Sequence, residues 1–247
     1  MKNSSTYIIH NFLTYANTLD VLLGDYFEEG EYRTHYSRIA RLFGIRDKEL
    51  LDSYLDIIES DLVSGADCES KYNLLSRAIE FNPNKFSKEF KTVVNYRKPA
   101  IQIKTKIAKR GDVESKSGII RGISYLTNSG VVSCIVLLAY MKLYGLFVGK
   151  DVPGAIKGIR EAAVWNDPFA LILGFKHDRN KAIYPPILKA VCYTASQEEA
   201  YKHLEKHLGL PEEVRENPVS IALDKRFYSD LSSKETISYP ILQAMNS

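Results

Sequence analysis

The chain repeats itself. Gly118-Ile119-Ile120-Arg121-Gly122-Ile123 falls on Gly154-Ala155-Ile156-Lys157-Gly158-Ile159 at an offset of 36, and Cys134-Ile135-Val136-Leu137 falls on Ala170-Leu171-Ile172-Leu173 at the same offset. Two separate blocks keep one register without a gap. A period of about 20–50 residues marks stacked supersecondary units, none of which can bury its apolar face alone. The expected fold is therefore all-α: a right-handed stack of antiparallel helix pairs, an α-solenoid, behind an N-terminal helical region.

Each unit reads as two helices. Cys134, Leu137, Leu138 and Met141 recur at helical spacing, which gives the first helix an apolar face. The segment Tyr144-Gly145-Leu146-Phe147-Val148-Gly149-Lys150-Asp151 then interrupts it. That segment approaches the phosphate-binding pattern G-x-x-x-x-G-K-[ST], but only three residues separate Gly145 from Gly149, and Asp151 stands where the magnesium-binding hydroxyl belongs. A carboxylate there would repel a triphosphate, so the stretch is an inter-helix turn. Gly145 supplies the positive φ of a helix end, Asp151 caps the next helix, and Pro153 fits its first turn. Ala155, Ile156, Ile159, Ala162 and Ala163 form that helix's buried stripe, while Gly154 and Gly158 permit close approach. Asn166-Asp167-Pro168 closes the hairpin, and a further helix starts at Phe169.

At these positions the chain resembles a Sel1-like repeat, a relative of the tetratricopeptide repeat. The matching residues are Cys134, Leu137, Tyr140 or Tyr144, Gly145, Val148, Asp151, Ala155, Ala162-Ala163, Asp167 and Ala170. Ile159 stands where the family carries an aromatic, and Gly149 with Pro153 makes the turn atypical. One unit, 133–168, is well formed, and its predecessor, 97–132, keeps chiefly its second helix. Ile187 to Val191 echo Ala155 to Ile159 at a shortened offset of 32, and Leu75 to Asn84 are similar to the close of a tetratricopeptide unit. The resemblance implies a non-enzymatic protein–protein interaction scaffold. Because Sel1-like segments accompany other domains, it also admits a regulatory or substrate-selecting module of a larger ATPase.

The organisation expected is an N-terminal helical region, 1–95, helical repeats over 96–210, and a C-terminal helical cap, 211–247. Tyr7–Gly24, Tyr32–Phe43 and Lys48–Val63 read as amphipathic helices. Ala40, Gly44 and Leu50 imitate a helix-turn-helix, but the would-be recognition helix carries Asp47, Glu49, Asp52, Asp56 and Glu59, whose charge repels phosphates. Ordinary helix packing is the better reading.

Composition (45% hydrophobic, 26% charged) is that of a globular protein. Three cysteines, Cys68, Cys134 and Cys192, show neither metal spacing nor a disulfide framework, which fits a reducing, cytoplasmic setting. No signal-peptide pattern is visible at the N-terminus. Gly130–Gly149 carries one charge in twenty residues, but Lys142 interrupts it. Burial in a helical core is expected rather than a membrane span.

Charge concentrates in 85–116, where ten lysines and arginines face three acids, leaving a local +7 against −4 elsewhere. Lys104, Lys106, Lys109 and Arg110, interleaved with Ile101, Ile103 and Ile107, read as a solvated helix face or as a docking patch for an acidic protein surface or nucleic acid. Tyr96 is the one nearby aromatic for base stacking, so nucleic acid is the lesser alternative. In a repeat stack, Tyr140, Lys142 and Tyr144 would line the groove that receives a partner protein or peptide. Glu199, His203 and His207 share one helix face at a spacing that can hold a metal, but no fourth ligand is apparent, and Ala200, Leu204 and Leu208 form the inward stripe. A solvated helix is expected there, with no metal and no cofactor. No nucleophile–base arrangement stands out, so no enzymatic activity is expected.

Overall fold

The computed structural model describes residues 6–64, 68–111, 113–181, 184, 206 and 207. They form nine α-helices and no strand. The described residues divide into two compact units: one within Ile9–Leu126, and one of those from Thr127 onward together with residues 6–8. That division falls inside the 96–210 segment that the sequence reading treats as one run of repeats.

In the first unit, α1 (Thr6–Leu23), α2 (Glu31–Leu42) and α3 (Lys48–Glu59) lie where the amphipathic pattern puts them. Their ends are set locally. Gly44, at φ 72°, turns the chain after α2, and the Asp47 side chain accepts from the Leu50 N–H at 3.1 Å to cap α3. The tyrosines of α2 fasten the three together. Tyr32 donates to the Ala16 carbonyl of α1 at 3.2 Å, and Tyr36 donates to the Leu51 carbonyl of α3 at 2.8 Å. Ala40 is fully buried, so the helix-turn-helix spacing serves packing.

Next come α4 (Cys68–Phe81), α5 (Lys88–Ala108) and α6 (Lys116–Asn128). Ser87 caps α5 by accepting from the Phe90 N–H at 3.0 Å. Val93, Val94, Ala100, Ile101, Ile103 and Ile107 are buried along α5, which packs on α3 and α4. Val21 of α1, Ala100 and Ile101 of α5 and Tyr72 of α4 meet in one cluster. The isoleucines between the lysines of the basic segment are thus core residues. The outer side of α4, by contrast, leaves Leu74 and Phe81 exposed.

The second unit contains α7 (Val132–Tyr144), α8 (Val152–Val164) and α9 (Pro168–His177). Asp151 bonds back to Lys142 at the end of α7, while Gly158 midway along α8 faces Ile135 and Ala139. Those two contacts fix α7 and α8 as antiparallel. The intervening turn follows the sequence reading: Gly145 is left-handed at φ 70°, and Asp151 accepts from the Gly154 N–H at 2.9 Å. Asp167 caps α9, accepting from the Phe169 and Ala170 N–H groups at 2.9 Å each.

The offset of 36 is visible in burial. Ile119 and Ala155 are buried, as are Ile123 and Ile159, and Leu126 and Ala162; Arg121 and Lys157 are exposed. What these helices pack against differs. A Cβ on Gly122 would overlap Ile107, whereas one on Gly158 would lie 3.5 Å from Ala139 and 3.6 Å from Ile135. In register, Ile135 and Ala139 correspond to Pro99 and Ile103, not to Ile107. The recurrence therefore relates α6 to α8 and does not extend to their pairing.

Candidate functional site

Residues expected to bind a partner are distributed over both units. Tyr140 corrects the expectation of a groove-lining residue: it is fully buried, with its ring 4.8 Å from Tyr144 and 5.7 Å from Phe169 between centroids. The cause is α7 itself, which buries Cys134, Ile135, Val136, Leu137, Ala139, Tyr140, Met141 and Leu143 and so has core on nearly every side. Lys142 and Tyr144 are half-buried and already engaged. Lys142 pairs with Asp151 at 3.1 Å, and the Tyr144 hydroxyl lies 3.1 Å from Nε2 of His177. Backbone donation from Gly154, followed by Lys142, holds the Asp151 carboxyl below the usual aspartate range.

α5 distributes the basic segment along its length. Lys106 and Lys109 are exposed, while Lys104 is half-buried. Lys104 lines a cleft of about 240 Å³ together with Asp20, Asp25, Glu59 and Arg97. Arg97 is buried there and donates to Asn17 at 3.1 Å and to Asp20 at 2.8 Å. Burial raises the Asp20 pKa despite that partner. Both signs of charge meet in this cleft, and its buried pair joins α1 to α5.

Arg110 stands at the other end of the segment, where the arrangement is different. Its guanidinium carbon lies 3.9 Å from the centroid of the Tyr125 ring. On α6, residues 118, 121, 122 and 125 fall at helical spacing on one face. Gly118 and Gly122 remove side-chain bulk from that face, and Arg121 and Tyr125 stand beside the gap. The result is a cleft of about 310 Å³ between the end of α5 and α6, floored by Ile107 and glycine and walled by Arg110, Arg121 and Tyr125. Among the described residues no acidic side chain lines it; Asp112, next to Gly111, lies outside them. Arg110 and Arg121 are exposed, and Tyr125 is 43% exposed.

Sequence reasoning identified Arg110 but not its companions. The glycines of Gly-Ile-Ile-Arg-Gly-Ile-Ser-Tyr mark the repeat, but G-x-x-R-G-x-x-Y also places a cation and an aromatic ring on one helical face, with Gly122 admitting Ile107 of α5. Sequence reasoning also offered Tyr96 for stacking. Tyr96 is instead half-buried against His10, with ring centroids 4.4 Å apart.

A guanidinium held flat over a ring keeps its edge N–H groups available, and such a fork matches the oxygens of carboxylate or phosphate. The cleft can therefore bind an anion. For the metal pattern, Glu199 and His203 lie outside the described residues, and His207 is half-buried. Among the described residues no group of three or more His, Cys, Asp or Glu side chains could hold a metal ion, and no helix is long and apolar enough to cross a membrane. No protein-family model matches the chain, nor does any curated protein or solved structure.

Proposed function

We propose that this chain is a non-enzymatic adaptor that binds an acidic segment of a partner protein through the cleft between α5 and α6. In this reading α7 and α8 form a Sel1-like helix pair, the chain works in the cytoplasm, and the pairing of α6 departs from the repeat geometry. The observation that carries it is the concentration of Arg110, Arg121 and an exposed Tyr125 around one cleft. Arginine and tyrosine are the residue types that dominate binding energy at protein interfaces, because both present large, preorganised contact area. The charged tips Lys106 and Lys109 on the same helix would speed the encounter with an acidic surface.

The test uses the full chain as bait in its native host, comparing wild type with an Arg110→Glu, Arg121→Glu variant. The expected result is loss of a discrete set of acidic partners with an unchanged melting temperature. Undiminished recovery by the variant removes the reading.

A second reading has one observation in its favour: an exposed aromatic ring beside two arginines is also how single-stranded nucleic acid is held. A titration of single-stranded RNA separates the two, since nucleic-acid affinity falls steeply with salt, by about 0.7 log units per log unit of salt for each phosphate contacted.

A further inference from the structure

We infer that the Arg110–Arg121–Tyr125 cleft reads phosphorylation: it receives a phosphorylated side chain of the acidic partner segment. This rests on the adaptor reading and adds the identity of the anchoring group.

Charge balance is the first argument. Among the described residues the lining holds two guanidiniums and no carboxylate. A single carboxylate of the partner neutralises one of them, whereas a phosphomonoester carries roughly −1.5 to −2 at neutral pH and matches both. The other cleft of the same unit makes the contrast. There Arg97 and Lys104 stand among Asp20, Asp25 and Glu59, and an incoming dianion would meet carboxylates.

Shape is the second argument. Gly111 and Gly118 add no side-chain bulk to the lining beside Arg110 and Arg121, while the space over Gly122 is taken by Ile107. A tetrahedral group with three acceptor oxygens can enter such a hollow and be reached from two directions. Preorganisation is the third. Tyr125 holds the Arg110 guanidinium carbon 3.9 Å from its ring centroid, so less rotamer freedom remains to be lost when the fork closes on oxygen. The same stacking argues against RNA, because one face of the exposed ring is already covered by a guanidinium.

The experiment measures fluorescence anisotropy of the full chain with a short, labelled, glutamate-rich peptide bearing a central phosphoserine, serine or glutamate. The phosphoserine form is expected to bind at least about tenfold tighter than either of the others, as charge-assisted bidentate pairs do. Arg121→Ala should abolish that preference, and Arg121→Lys should lose most of it while keeping the charge. Arg121 is exposed, so circular dichroism and melting of both variants should match wild type. Equal affinity for the phosphoserine and glutamate peptides, both weakened by Arg121→Ala, would overturn the phosphate inference and leave the adaptor reading standing. Failure of all three peptides to bind overturns both. Inorganic phosphate competing as well as free phosphopeptide would mean a small-molecule phosphate site, and tighter binding of a single-stranded RNA oligomer would mean a nucleic-acid site. Either result overturns the assignment to a phosphorylated side chain.

Discussion

Gly122 of α6 lies so close to Ile107 of α5 that a single added carbon would overlap the isoleucine's branch carbons and crowd its Cβ. Ile107 is buried and β-branched, so it has little freedom to yield. Gly122→Ala should therefore cost about 1–3 kcal/mol, the usual penalty for overpacking. Gly158, its counterpart one repeat later, has neighbours no nearer than 3.5 Å. There the better helix propensity of alanine should prevail, and Gly158→Ala should be neutral or stabilise by up to about 1 kcal/mol. Chemical denaturation of both variants checks the pair. Equal effects would mean that the two glycines share one environment after all.

Asp178 is the centre of the second unit's polar lock. It is 2% exposed and accepts from Arg160 Nε at 2.7 Å, from Arg160 Nη2 at 2.9 Å and from the Tyr184 hydroxyl at 2.6 Å. Gly174 makes room for the Tyr184 ring, which a Cβ would overlap. Burial alone would raise the Asp178 pKa, but Arg160, Tyr184 and the Asn180 N–H together hold it below the usual range. Asp178→Ala leaves the Tyr184 hydroxyl without its acceptor, while the partly exposed Arg160 can turn to water, so it should cost about 1–3 kcal/mol. Tyr184→Phe removes one bond to a charged group, about 1.5–3 kcal/mol. Thermal melts that show either variant within error of wild type would refute the lock.

How far the sequence speaks for the structure depends on the range of the interaction. Helix ends were legible because capping is local: Asp47, Asp151 and Asp167 each bond an N–H two or three residues ahead. Tyr140 was misplaced because a repeat pattern was read where all-round apolarity was the stronger signal. Val-Ser-Cys-Ile-Val-Leu-Leu-Ala-Tyr-Met offers no polar face, and such a helix is buried. The cleft was legible only by half. Arg110 belongs to an evident charge run, but its pairing with Tyr125 depends on where the end of α5 meets α6, and no local pattern encodes that meeting.

Acid should loosen the fold through its histidines. His10, His35 and His177 all have pKa values lowered from 6.5, chiefly by burial, with Arg38 acting on His35 and Lys176 and Lys181 on His177. Each is neutral in the folded chain and takes up a proton more readily when unfolded. Their contribution is present above the unfolded pKa and is lost as pH falls through the folded values. Below that range Asp178, depressed in the fold, acts in the same direction, while Asp20, raised by burial, opposes it. Melting temperature should thus decline steadily from about pH 7 to about pH 5, and His177→Gln should flatten part of the slope. A pH-independent midpoint across that interval would contradict the burial of the His35 ring and the partial burial of His10.

The turn between α7 and α8 yields the last prediction, because two effects compete at Asp151. Its Oδ1 caps α8 through the Gly154 N–H, and its Oδ2 pairs with Lys142. The cap satisfies a backbone donor that has no intrahelical partner, which makes it worth about 1 kcal/mol. The ion pair is largely solvated, with Lys142 31% and Asp151 45% exposed, and such pairs contribute about 0–1 kcal/mol. Asp151→Asn keeps the cap and gives up the charge, so it should cost less than Asp151→Ala. Lys142→Met should fall near Asp151→Asn and lose its effect in high salt, whereas the loss in Asp151→Ala should persist there. Denaturation of the three variants at low and high salt measures this directly. If Lys142→Met were the most damaging of them, the turn would be held by charge and the capping account would be wrong.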